Sequence, residues 1–98
     1  MQAKRFKVTK RARADLLAIG RFTEKEWGLV QRDYYLKQFD DAFHLLGENP
    51  MLGKTCEDVL PGYRKIPQGS HVIYYKVTDS VEVIRILHER MEPDTRLA

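Results

Sequence analysis

The sequence predicts a single α+β domain, with elements in the order β-α-α-β-β-β and a helical hairpin packed on one face of an antiparallel sheet. Three observations lead there. Two apolar stripes of helical period follow one another with a lone glycine between them. Three segments rich in Val, Ile and Tyr then follow, separated by turns of two or three residues. The whole is 98 residues, with no linker or repeat dividing it, so residues 1–98 build one core and not two.

Arg5 to Val8 alternates basic and apolar residues and is a short first strand. Thr9 can cap the helix that follows. Ala12, Leu16, Ile19, Thr23 and Trp27 recur at spacings of three and four, flanked by Leu17 and Phe22, and give one stripe through residues 10–27 that is expected to be core, Trp27 included. Gly28 ends it. From Leu29 the pattern restarts as Leu36, Phe39, Phe43 and Leu46, widened by Tyr35 and Ala42, and Gly47-Glu48-Asn49-Pro50 stops it. Each helix is apolar on one side only and must cover something, and the sheet is the partner on offer.

Residues 50–61 read as an irregular crossover. Tyr63 to Ile66, His71 to Val77 and Val81 to His88 then form an antiparallel meander through Gln68-Gly69 and Thr78-Asp79-Ser80. If every element reverses the chain, the first strand runs opposite to the second and fourth strands, and the sheet is antiparallel throughout.

A two-residue turn at Gln68-Gly69 pairs Ile66 with His71 and Lys65 with Val72. Tyr63, Lys65, Val72, Tyr74 and Lys76 then share one side. Ile66, Ile73, Tyr75 and Val77 hold the other, more apolar side and meet the helices. A two-residue second turn adds Ile84 and Ile86 to the core side and leaves Val83, Arg85 and Leu87 with the basic and tyrosine set; a three-residue turn flips that whole strand. Arg64 falls on the core side unless it lies at the strand's open end. An exposed side mixing Tyr, Val, Leu, Lys and Arg is the kind of patch that binds a partner.

Composition excludes several classes. Hydrophobic content of 43% with 32% charged residues fits a globular chain, and no apolar run approaches the ~20 residues of a membrane span. The basic N-terminus has no apolar region behind it, so no secretory signal is read and the cytoplasm is expected. The single cysteine, Cys56, has no partner for a disulfide or metal site and reads as a loop thiol. His44, His71 and His88 share no ligand spacing, no glycine-rich phosphate loop is present, and neither metal nor cofactor is expected.

Charge is uneven. Residues 1–37 carry ten Lys/Arg against four Asp/Glu, and residues 38–98 seven against ten. Lys4, Arg5, Lys7, Lys10, Arg11 and Arg13 precede the first acid, Asp15. Either they are a solvated flank or they attract an anionic partner; in a first helical turn positive charge opposes the macrodipole by ~0.3–1 kcal/mol each.

Tyr63-Arg64, then Gly69-Ser70-His71-Val72-Ile73-Tyr74-Tyr75, then Arg85-Ile86-Leu87-His88 with Arg90-Met91, together with Glu26-Trp27-Gly28 and Glu48-Asn49-Pro50, resemble the ParE-type toxins of the RelE/ParE superfamily over nearly the whole chain. The resemblance implies the toxin of a type II toxin–antitoxin module, a plasmid-stabilising and growth-arresting device in which a ParD-type antitoxin lays its C-terminal segment on the toxin. The resemblance further implies that the free toxin inhibits DNA gyrase by binding and is not itself an enzyme, and that DNA is met only through antitoxin or gyrase. On this basis Tyr63, Lys65, Val72, Tyr74, Lys76 and Arg85 are the expected antitoxin-binding face. His88, Arg90 and Met91 are the expected contacts to the target, since the resemblance also ties the chain end to toxicity.

The alternative from the same superfamily is a RelE-type mRNA interferase, which needs an acid, a base and cations around a phosphate. Where those ribonucleases carry an arginine this chain has Val72, His88 stands alone in the sequence, and Glu89 and Glu92 repel phosphate. A direct nucleic-acid binder would rest on the basic first helix, but the acidic second half and the lack of a reading motif oppose it. The segment after His88, with Pro93 against a long helix, is expected to add little to folding.

Overall fold

The computed structural model describes residues 5–57, 60–93 and 97. Strand β1 (Phe6–Val8) leads directly into helix α1 (Lys10–Trp27), and helix α2 (Leu29–Glu48) returns to a short strand β2 (Lys54–Thr55). Strands β3 (Tyr63–Gln68), β4 (His71–Val77) and β5 (Val81–His88) complete a five-stranded sheet of order β1-β5-β4-β3-β2.

Local chemistry accounts for the helices. The Thr9 side chain accepts the Ala12 N–H at 3.1 Å and caps α1, which offsets one of the orphan donors of a helix start. Gly28 is both the end of α1 and the start of α2, at φ 93°, a value that other residues adopt only with strain. Its N–H closes α1 on the Glu24 carbonyl at 2.8 Å, and its own carbonyl takes the Arg32 N–H at 3.0 Å. One residue therefore turns the corner.

The expected meander is present, and the sheet as a whole is mixed. Strand β1 runs parallel to β5, Phe6 beside Val81 and Val8 beside Val83, which corrects the all-antiparallel expectation. The cause is β2. This strand lies in the segment read as irregular and pairs antiparallel with β3, so it adds one more reversal between the helices and the meander. The Tyr75 hydroxyl fastens that segment, donating to the Pro50 carbonyl at 2.8 Å and accepting the Gly53 N–H at 2.7 Å. Arg64 sits at the open end of β3 and donates to the Gly53 carbonyl at 2.7 Å, which resolves its apparent place in the core.

The first hairpin turns at Gly69-Ser70, since Gln68 pairs with His71 and Lys65 with Tyr74. Gly69 supplies the positive φ, 61°, that primed hairpin turns demand at their first position. The shift from the expected register is two residues, and because strand faces alternate with period two each side keeps its expected members. Strand β5 departs further. The second turn spans three residues, with Val77 opposite Val81, so Val81 and Val83 face the core. A bulge then sets Arg85 opposite Tyr74 but Val83 opposite Tyr75, and the extra residue flips the strand back. Ile86 and Leu87 thus recover their expected sides, while Val83 and Ile84 do not.

Two cores result. Between helices and sheet, Phe6, Ala12, Ile19, Phe39, Phe43 and Leu46 meet Ile73, Tyr75, Val81, Val83 and Ile86. On the opposite face a smaller cluster joins Cys56, Tyr74, Leu87 and Leu97, with Leu60, Tyr63 and Val72 packed against it. The chain end therefore contributes to the core through Leu97, 3% exposed, contrary to the expectation that it adds little.

Candidate functional site: a cleft beside the helical hairpin

The bulge in β5 frees backbone groups, and α1 takes them up. The Thr9 hydroxyl donates to the Ile84 carbonyl at 3.0 Å. Asp15 accepts the Ile86 N–H at 2.9 Å and the Arg85 guanidinium in a fork, Nε at 2.7 Å and Nη2 at 2.9 Å. Both side chains of this ion pair are largely buried, and the hydrogen bonds to Asp15, with its charge, raise the pKa of Arg85 against the opposing effect of burial. Arg85 therefore belongs to the helix side of β5, where it rivets the sheet to α1. It does not stand with the basic and tyrosine set.

That set is also less open than its composition suggests. Tyr74 is 5% exposed beneath Leu97 and Cys56, and burial pushes its phenol pKa up. Tyr63, Lys65, Val72 and Lys76 are half-buried on the same face, with the Lys76 ammonium 5.5 Å from the centre of the Tyr63 ring. Large apolar side chains stand exposed elsewhere, three of them around one cleft. Trp27 is 72% exposed, Phe22 63% and Met91 46%, so Trp27, at the last position of α1, is not the core residue its spacing implied.

These three residues rim a cleft of about 540 Å³ between the end of α1, the start of α2 and the edge where β4 begins and β5 ends. Its floor carries Asp15, Arg85, His71 and His88, with Tyr35 and Thr23 on its walls. His71 and His88 are register partners with ring centroids 5.4 Å apart, edge to face. The sequence left His88 alone, and the β4–β5 pairing supplies its neighbour. Tyr35 ties the cleft to the first hairpin, its hydroxyl 2.7 Å from His71 Nδ1 and accepting the Ser70 N–H at 3.2 Å. Burial first, then the His88 charge, lowers the pKa of His71, with Glu89 and Asp15 opposing. Of the residues expected to contact a target, His88 and Met91 line this cleft. Arg90 is exposed in the turn between them, its N–H donating to His88 Nδ1 at 3.2 Å.

On the other flank of α1 a second groove, about 700 Å³, runs over Leu16, Leu17, Gly20 and Leu36 between the helices, near the ion pair of Arg32 with Glu24. Of the basic run, Arg5, Lys7, Lys10, Arg11 and Arg13 are exposed and α1 has no acid in its first turn, while Lys4 lies outside the described residues. Among the described residues no group of three or more His, Cys, Asp or Glu side chains is placed to hold a metal ion, and no helix is long and apolar enough to cross a membrane.

The family model described as the ParE toxin of the type II toxin–antitoxin system parDE matches residues 6–93. The chain belongs to the ParE toxin family. It is 37% identical over 95 residues to toxin ParE1 of Mycobacterium tuberculosis (strain CDC 1551 / Oshkosh), covering 95% of this chain and 97% of that one. It is 35% identical over 94 residues to toxin ParE1 of Caulobacter vibrioides, covering 96% and 98%. Among solved structures it resembles a chain of the chromosomal ParDE system from P. aeruginosa, with TM-score 0.76 and 21% identity, covering 87% of this chain and 95% of that one. At that identity the likeness speaks for the fold, two helices on a mixed sheet. As a ParE toxin, the chain is the toxin half of a type II toxin–antitoxin module.

Proposed function

We propose that this ParE toxin arrests growth in the cytoplasm by binding and inhibiting DNA gyrase, and that a ParD-type antitoxin neutralises it by covering the cleft and its rim. The observation that carries this reading is the open apolar rim of Phe22, Trp27 and Met91, because an exposed patch of aromatic and thioether side chains is the anchor an interface needs. The sheet face suggested by sequence is a weaker choice for the main contact, since Tyr74 is already covered by Leu97. Tyr63, Lys65, Val72 and Lys76 remain half-accessible at its margin, where the two lysines would favour an acidic segment. His88, Arg90 and Met91 are the proposed contacts to gyrase: Arg90 offers a fork of donors and Met91 an adaptable apolar surface beside it.

Binding, and not catalysis, fits the electrostatics of the cleft. Arg85, which lines the same cleft as the histidine pair, spends two donors on Asp15, so its charge is neutralised where a scissile phosphate would need it. The His71–His88 pair does give the ribonuclease alternative a second imidazole. Two assays on the purified chain decide: plasmid supercoiling by gyrase, expected to be inhibited, and coupled translation with mRNA integrity read out, expected to be unaffected. Intact supercoiling together with cleaved mRNA reverses the conclusion.

A further inference from the structure

The two histidines on the cleft floor use their Nδ1 atoms differently. His71 Nδ1 faces the Tyr35 hydroxyl at 2.7 Å, and that hydroxyl is also 3.2 Å from the Gln68 carbonyl. A hydroxyl has one proton to give and two lone pairs. Tyr35 can therefore donate to a bare His71 Nδ1, or donate to Gln68 and accept from His71 once a proton sits there. His71 can become charged without losing a bond.

His88 has no such freedom. Its Nδ1 accepts the Arg90 N–H at 3.2 Å, so the neutral ring carries its proton on Nε2, and an added proton removes the lone pair that Arg90 uses. The same turn is held by the Met91 N–H on the His88 carbonyl and the Glu89 N–H on the Ser70 carbonyl, each at 2.9 Å. It is this turn that sets Met91 on the rim of the cleft. Around the pair, α1 presents Asp15, α2 presents Tyr35, β5 presents Arg85, and the turn presents Glu89 and Arg90. Asp15 is engaged by Arg85, which leaves Glu89 as the compensating charge nearest in sequence, and it is solvent-exposed.

We propose that the His71–His88 pair is a proton-operated latch: a proton on His88 breaks its bond to the Arg90 amide, repels His71, and lets the turn bearing Met91 leave the rim. Acidification then reshapes the surface on which a partner docks. That this partner is the antitoxin rests on the function proposed above, whereas the latch itself does not.

The test uses the isotope-labelled full chain, followed by NMR from about pH 8 to about pH 5, the span over which imidazoles titrate. Trp27, the single tryptophan, reports on the cleft by its emission. The His88 ring, the Arg90 amide and the Trp27 emission are expected to move with one midpoint. In His88→Asn the amide oxygen stands where Nδ1 stood, so the Arg90 amide should stop responding and the His71 midpoint should rise. An Arg90 amide indifferent to pH in the wild type, one that still responds in His88→Asn, or a His71 midpoint that ignores the substitution overturns the latch. If His88→Asn does not fold, the shared midpoint in the wild type decides alone. Antitoxin affinity should fall on acidification for the wild type and hold in His88→Asn; a pH-independent complex beside a working latch in the free chain removes the antitoxin from the cleft and leaves the latch standing.

Discussion

At the scale of single residues, Asp15 and Tyr75 hold more of the molecule than their positions in the sequence suggest. Asp15 satisfies both Arg85 and the Ile86 N–H, so Asp15→Asn leaves a partly buried guanidinium without its counter-charge. Breaking a fully buried pair costs ~3–5 kcal/mol, and with this pair's residual exposure about 2–3 kcal/mol is expected in denaturant melts. Tyr75→Phe leaves the Gly53 N–H and the Pro50 carbonyl without their partner, at about 1–3 kcal/mol, read in the same melts. His71 sets a pH dependence. Its folded pKa lies below the ordinary 6.5 through burial and the His88 charge, so the unfolded chain takes up the proton more readily. Stability from this group is fully present above 6.5 and is lost as pH falls through the lower folded value. Melting temperature should therefore decline as pH falls from 6.5 towards the lower folded value, and His71→Asn should flatten the decline; an unchanged slope rejects the assignment.

At the scale of elements, two joints and one strap matter. Gly28 turns the corner between the helices at φ 93° and ψ 173° with nothing within 4 Å of a would-be side chain, so Gly28→Ala costs only the backbone strain of that conformation, about 1–3 kcal/mol. At Gly69 a side chain would collide with the Tyr35 ring, and the same substitution should cost more and disturb His71 as well. Comparing the two melts separates strain from collision. The strap is the chain end. Leu97 covers Tyr74 and Leu87, and burying a leucine contributes about 1.5–3 kcal/mol. A chain stopped after His88 should accordingly melt lower, so loss of toxicity on truncation says nothing about a target contact. Arg90→Ala with Met91→Ala is the cleaner variant: both side chains are exposed, melting should be unchanged, and growth arrest on expression should weaken if these residues touch gyrase.

At the scale of the whole molecule, the fold brings the exposed Phe22, Trp27 and Met91 together around one cleft. Replacing Phe22 and Trp27 together by serine removes two exposed rings from the rim and nothing from the core. Folding should be unaffected, while affinity for the antitoxin should fall by about 2 kcal/mol or more, roughly thirtyfold, as expected for aromatic anchors. Calorimetric titration of the variant with antitoxin measures it, and wild-type affinity would move the interface away from the cleft.

The element order, the helical hairpin, its glycine corner and the meander were legible in the sequence, because stripes of period 3.6 and 2 and turn residues are written in neighbouring positions. The family was legible for the same reason, its motifs being local strings such as Arg85-Ile86-Leu87-His88. Facing and exposure were not. The sequence assigned Arg85 to the outer face by alternation, whereas beside the β5 bulge its guanidinium reaches Asp15 on α1. It assigned Trp27 to the core by spacing, though at the last position of α1 the side chain is left exposed. It left the first strand antiparallel because the reversing strand β2 is two residues long, Lys54 and Thr55, and carries no apolar pattern. The pairing of His71 with His88 and the seating of Leu97 on Tyr74 join residues 17 and 23 positions apart. Such contacts are fixed by register and packing across the sheet, and no periodicity along the chain encodes them.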